Sequence, residues 1–289
     1  FLRRFGRYQV ALSFMKKILV PFDFSDYSLS ALLTAKKILG KTSAQLVCVT
    51  VIPSEIDWDV LPEKARESYP ELVEEWEEAI TRIPTYLKKI FPSSYQVDLE
   101  VKIGVPAEPI LRLAEQKKVD LLVLGAYGKD YKEGNFIGST LQKVLRGSPC
   151  PVLAVKKPLD GNAFRKIAFA SLFEPSSLPA FSALIPWVKN FTPILHLVYV
   201  NTPSHFENTT QTEEAMRNYS KSHKELSYRF HTINASSVVE GLANFSDYKS
   251  IGIIALVSSS KKGKPSYLIG TTETLIYTTD KAVLSMPWV

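Results

Sequence analysis

Lys17-Ile18-Leu19-Val20 returns 149 residues later as Lys166-Ile167-Ala168-Phe169, and this repeat constrains the fold more than any other feature of the sequence. The same offset, without a gap, carries Ala31 to Ala180, Leu46 to Leu195, Val49 to Val198 and Val51 to Val200. Towards the end the offset falls to 132, where Gly138-Ser139-Thr140 is answered by Gly270-Thr271-Thr272. A repeat of this period is a duplicated domain. The 17 residues by which the offsets differ (149 − 132) must come out of the middle of the second copy. A chain of 289 residues suits two domains of ordinary size, each with a core of its own. We therefore expect one domain over residues 15–157, a linker over 158–164 and a second domain over 165–289. Residues 1–14 hold Arg3, Arg4 and Arg7 with no acid, and Met15-Lys16-Lys17 reads as a natural start. That extension is expected to lie outside the fold.

Within the first copy, apolar runs alternate with amphipathic ones. Residues 17–22 form a short apolar strand, and Asp23-Phe24-Ser25-Asp26 follows as a turn in which Ser25 or Asp26 can cap a helix ending at Gly40. Residues 45–52 make the second strand. A long acidic helix is expected over 62–90, with Leu72, Val73, Trp76, Ile80 and Ile83 on its apolar stripe and with Pro84 kinking or splitting it. Residues 95–103 alternate as a half-exposed strand does, and Gly104-Val105-Pro106-Ala107 turns into a further helix. Strands alternating with helices imply parallel pairing, right-handed crossovers and helices on both faces. The expected fold is α/β: two tandem, doubly wound, Rossmann-like domains, each with a five-stranded parallel sheet. Ligands of such sheets bind beyond the carboxyl ends of the strands, where strand order switches.

Residues 119–155 carry the chemistry. The apolar run Leu121-Leu122-Val123-Leu124 stops at Gly125, and Gly128, Gly134 and Gly138 follow before Ser139-Thr140-Leu141 opens a helix. A last apolar strand covers 151–155. Glycines let backbone N–H groups approach an anion, and a helix N-terminus adds unpaired donors and the positive end of a dipole. Gly125-x2-Gly128-x9-Gly138-Ser139 matches neither the Walker nor the G-x-G-x-x-G spacing. It resembles the nucleotide-binding motif of the universal stress protein family, in the subset that binds ATP. The opening Ile18-Leu19-Val20-Pro21-Phe22-Asp23-Phe24-Ser25 resembles that family's first strand and turn, and Gly104-Val105-Pro106 a turn it commonly carries. The match spans residues 16–157.

The resemblance implies a set of roles. Pro21 would line the pocket, Asp23 would lie beside the nucleoside, and Val51 would meet adenine, mostly through its backbone. Gly125, Gly128, Gly138 and Ser139 would form the phosphate motif, with Lys129 and Thr140 beside it. The ligand would be ATP, or AMP or ADP, with Mg2+ accompanying the nucleotide. Single-domain relatives pair through their last strand, so the two copies here would form an intramolecular pseudo-dimer, with a further homodimer left open. Two features have plainer readings. Asp23 also suits a turn, and the mixed charge of residues 129–133 suits a solvated loop.

The second copy has lost these groups. Asp23 corresponds to Leu172, and Gly125-Ala126-Tyr127-Gly128-Lys129 becomes Val257-Ser258-Ser259-Ser260-Lys261. The glycines at Gly125 and Gly128 would thereby give up positive-φ freedom. Gly270-Thr271 remains, so a lone anion is conceivable on that helix, but ATP is not expected there. The acidic helix should have a shorter counterpart around residues 213–224.

Composition limits the alternatives. Half of the net charge of +6 lies in residues 1–14; residues 15–160 hold 20 basic against 20 acidic groups, and 161–289 hold 12 against 9. With no basic stripe, nucleic acid is not an expected partner. No apolar run is long enough to span a membrane. Cys48 and Cys150 suit reduced thiols in a cytoplasm, and the four histidines show no metal spacing. The expected function is ATP binding by a stress-response regulator acting through nucleotide occupancy. A slow ATPase or nucleotidyl-transfer enzyme, and a nucleotide-free partner-binding module, are the alternatives. The protein partner is not legible.

Overall fold

In a computed structural model, the structure describes residues 15–56, 58–129, 131–134, 136–221, 223–257 and 270–287. The extension 1–14 lies outside them. The first half runs β1 (Lys17–Pro21), α1 (Asp26–Leu39), β2 (Gln45–Pro53), α2 (Glu63–Arg66), α3 (Pro70–Ile90), β3 (Val97–Gly104), α4 (Ala107–Gln116), β4 (Leu121–Gly125), α5 (Ser139–Gly147) and β5 (Val152–Val155). The second runs β6 (Lys166–Ala170), α6 (Leu178–Val188), β7 (Ile194–Asn201), α7 (Thr209–Ser220), β8 (Ser227–Asn234), α8 (Val238–Lys249), β9 (Ile253–Val257), α9 (Thr271–Thr278) and β10 (Ala282–Met286).

The ten strands form one sheet in the order β3-β2-β1-β4-β5-β10-β9-β6-β7-β8. Each half is parallel throughout, as the alternation of strand and helix requires. The seam is antiparallel: Val283 pairs with Ala154, Leu284 with Leu153 and Ser285 with Val152. β1, β4 and their counterparts are buried on both faces, which is why they read as unbroken apolar runs. One apolar layer gathers Val20, Leu32, Ile38 and Ile83 with Phe169, Phe181 and Leu284. The layer on the other face gathers Leu19, Ile110, Leu124 and Val144 with Ile254, Leu275 and Val283. Both layers thus continue across the seam.

The repeat persists in backbone detail. Phe24 and Phe173, 149 apart, both take the left-handed conformation (φ 64° and 55°); so do Lys118 and Ser250, 132 apart (φ 51° and 54°). Such conformations strain non-glycine residues, so their recurrence marks a turn that both copies need.

The region 62–90 differs from expectation. Pro84 lies inside α3 without ending it, because Ile83 and Leu87 on either side are buried and hold the turn in place. The break comes earlier, where α2 stops and Pro70 starts α3, a position at which its missing N–H costs nothing. The expected stripe is buried only at its C-terminal end; Trp76 and Ile80 are exposed.

Candidate functional site

β1 ends at Pro21, and the chain turns through Asp23 and the left-handed Phe24 into α1. The Ser25 hydroxyl caps α1 by accepting from Ser28 N at 3.1 Å. Asp23 accepts from Ser25 N at 3.0 Å and from the Ser25 hydroxyl at 2.6 Å through Oδ1. Its Oδ2 accepts from Lys129 N at 3.2 Å. Asp23 is therefore a turn residue that also ties this turn to the glycine loop after β4.

The glycines of that loop have separate causes. A Cβ on Gly125 would stand 2.6 Å from the carbonyl carbon of Tyr27, so glycine there admits the first turn of α1. A Cβ on Gly128 would come within 3.3 Å of Asp23 Oδ2. Gly134 is left-handed (φ 90°), whereas Gly125 and Gly128 are not. The expectation that Gly125 and Gly128 supply positive-φ freedom is thus corrected: close approach, not handedness, demands them. Gly138 has no such demand, since a Cβ would meet its neighbours at 3.6 Å or more. Its N–H donates to Ala126 O at 3.0 Å, bringing the start of α5 back to the end of β4. No side chain caps α5, so its first N–H groups face outward beside the exposed Ser139 and half-buried Thr140.

These segments enclose a cleft of about 920 Å3 at the carboxyl ends of β1, β2 and β4. It opens where strand order switches between β1 and β4, the place at which open α/β sheets take ligands. Pro21 and Asp23 line it from β1, Val51 from β2, Gly125, Gly128 and Lys129 from the loop, and Gly138, Ser139 and Thr140 from α5. All nine residues singled out in the sequence meet there. Lys129 is exposed and Val51 half-buried.

Other lining residues have no signal in the motif. Arg82 of α3 closes one side, 4.9 Å from the Phe24 ring centre and ion-paired with Glu78 at 3.0 Å. Thr50 lines the cleft and donates to Phe22 O at 2.8 Å. Tyr127, Tyr131 and Phe136 supply an aromatic wall, with the Tyr127 and Tyr131 ring centres 3.8 Å apart. Burial, followed by the Tyr131 hydroxyl, pushes the Tyr127 phenol up to about 12, so it keeps its proton at neutral pH. The two tyrosines and the phenylalanine lie inside the glycine-rich stretch, where an aromatic count would have flagged them; Arg82 comes from a distant helix. Among the described residues, no group of three or more His, Cys, Asp and Glu side chains is arranged to hold a metal.

The second half lacks the matching features. Leu172, at the position of Asp23, is exposed, and Val257 stands at the position of Gly125. Ser258, Ser259, Ser260 and Lys261 lie outside the described residues. The remaining helix start is occupied: the buried Glu273 carboxylate accepts from Gly270 N and caps α9. Arg146 of the first half pairs with that carboxylate at 2.8 and 2.9 Å. A lone anion, conceivable on this helix from the sequence, would therefore share the start of α9 with a carboxylate that the chain itself supplies.

Comparison with known proteins agrees with this geometry. The model of the universal stress protein family matches residues 15–156. A universal stress protein of Methanocaldococcus jannaschii is 34% identical over 151 residues, which is 50% of this chain and 83% of that protein. One of Thermus aquaticus is 32% identical over 147 residues, 49% of this chain and 98% of its own length. The crystal structure of a universal stress protein from Archaeoglobus fulgidus shares the fold over both halves. It covers 94% of this chain and 98% of its own, with a TM-score of 0.76 at 17% identity. Among the described residues no helix is long and apolar enough to cross a membrane.

Proposed function

Because this chain belongs to the universal stress protein family, we propose that its first half binds ATP, or AMP or ADP in the same place, and regulates a stress response through nucleotide occupancy. The uncapped N-terminus of α5 carries this reading. It lines the cleft without a side-chain cap, whereas the equivalent end of α9 carries the Glu273 carboxylate on its N-cap N–H. A helix end of this kind suits phosphate.

In this reading the phosphates rest on the backbone N–H groups at Gly138, Ser139 and Thr140, with Gly128 and Lys129 across from them. Pro21 and the Val51 backbone flank the base, and Asp23 lies on the nucleoside side. Mg2+ arrives with the nucleotide and is held by its phosphates. The reading is of binding rather than rapid turnover. Of the three lining carboxylates, Asp23 is held by Ser25 and Lys129, Glu78 is paired with Arg82, and Glu75 is exposed on α3. None is held by a third group that would orient it as a general base.

Mass spectrometry of nucleotide released from the purified protein by denaturation tests the proposal. Adenine nucleotide near one per chain is the expected result. None released, with no uptake of added ATP, overturns it in favour of a partner-binding module without nucleotide.

A further inference from the structure

Tyr277, in the last turn of α9, is not among the residues lining the cleft, yet it touches one arm of the loop that does and reaches the other through Lys156. Its ring lies against Phe136, with centres 5.2 Å apart. Phe136 lines the cleft immediately before Ile137, which is buried, and Gly138, which leads into α5. The Tyr277 carbonyl also accepts from Lys156 Nζ at 2.9 Å. That ammonium sits 5.9 Å from the centre of the Tyr127 ring, on the outgoing arm of the same loop. Burial lowers the Lys156 pKa, and Asp280 of the second half opposes the shift. At the other end of α5, Arg146 is held by Glu273 in the first turn of α9. α5 is thus tied to the second half near its C-terminal end through Arg146, and the segment leading into it through Phe136.

We propose that Tyr277 is a positioning residue for the first half's nucleotide site, so that the second half completes a site it does not line. The inference rests on the ATP reading above. Phe136 is half-buried, and an aromatic ring at a cleft edge is fixed only when its free face is packed. Tyr277 supplies that face, so the approach to Gly138 and Ser139 is ordered before nucleotide arrives. Ordering in advance removes a cost that binding would otherwise carry.

The test compares wild type with Tyr277→Ala, Tyr277→Leu and Tyr277→Phe by calorimetric titration with ATP, alongside thermal unfolding and amide hydrogen exchange without nucleotide. An aromatic pair of this kind corresponds to about three- to tenfold in affinity. Tyr277→Ala and Tyr277→Leu should weaken ATP binding by that factor and speed exchange at the amides of Phe136 to Thr140. Tyr277→Phe, which keeps the ring, should restore both. Tyr277→Leu retains apolar bulk and serves if the alanine variant does not fold. Wild type that binds ATP, with the leucine variant binding equally well, overturns the positioning role alone. Wild type that takes up no ATP overturns the nucleotide reading and this inference with it.

Discussion

Gly125 and Gly138 stand at either end of one motif, but their backbones are under different demands. A methyl group on Gly125 would press into the Tyr27 backbone at 2.6 Å, and backbone there cannot swing aside. Gly125→Ala should therefore destabilise the protein by about 1–3 kcal/mol, the range for overpacking a well-filled site. A methyl group on Gly138 meets only ordinary contacts, so Gly138→Ala should leave the urea midpoint nearly unchanged while weakening ATP binding. Equal loss of stability in both variants would remove the distinction. This difference was not legible in the sequence, where both are members of one spacing. The spacing singled out Gly125, Gly128, Gly138 and Ser139, and the family resemblance added the other five residues that line the same cleft. Neither disclosed why each glycine is there. Tyr27, Asp23 and Gly125 become neighbours only when β1 and β4 pair. Arg82 and the Phe136–Tyr277 contact were missed for the same reason: they join segments that no periodicity connects.

Strands and helices were legible wherever burial agrees with local pattern, as in β1, β4 and α5, or a capping residue does, as Ser25 does for α1. The miss at α3 comes from weighing Pro84 as a breaker without weighing Pro70 as a starter. At the other end of the sheet, β7 and the edge strand β8 hold a feature that pattern alone passes over. His196 Nδ1 and His231 Nε2 are 3.0 Å apart with their rings nearly parallel, and Phe245 of α8 covers both. His196 Nε2 is buried with no hydrogen-bond partner among the described residues. Burial first, then His231, Lys166, Lys249 and Arg229, lower the His196 pKa to about 4, and burial, Lys249 and Arg229 lower that of His231. The unfolded chain protonates these histidines near their ordinary 6.5, whereas the folded chain does so only at lower pH. The unfolded state therefore binds more protons in that interval, and stability must fall as pH drops from about 7 towards 4. Urea midpoints measured across this range should decline with acidification. The double variant His196→Leu/His231→Phe should flatten the decline, and an unchanged slope would mean that other groups cause it.

At the scale of the whole molecule, the seam explains how one half can lose its pocket and still be kept. β5 and β10 would each be an exposed edge if the halves were separate, and exposed edges invite uncontrolled pairing. Joined in one chain, each edge meets the other at the high effective concentration that a covalent link provides. Covering β5 requires the apolar strands of the second half but none of its ligand chemistry. Those strands remain buried, while the position of Asp23 holds an exposed leucine and the helix start of α9 holds its own carboxylate. Substitution at Leu172 and Val257 would then have been free to accumulate, provided the seam, Tyr277 and Glu273 continued to support the first half. Calorimetric titration with ATP should consequently saturate at one nucleotide per chain. Asp23→Leu, which imposes the second half's residue on the first, should weaken that site by removing both the nucleoside-side carboxylate and the tie to Lys129 N. The variant should also keep the antiparallel seam, because Asp23 lies at the far end of β1 and takes no part in it. Saturation at two comparable nucleotides per chain would overturn this account, since it would require a phosphate position on α9 that Glu273 does not fill.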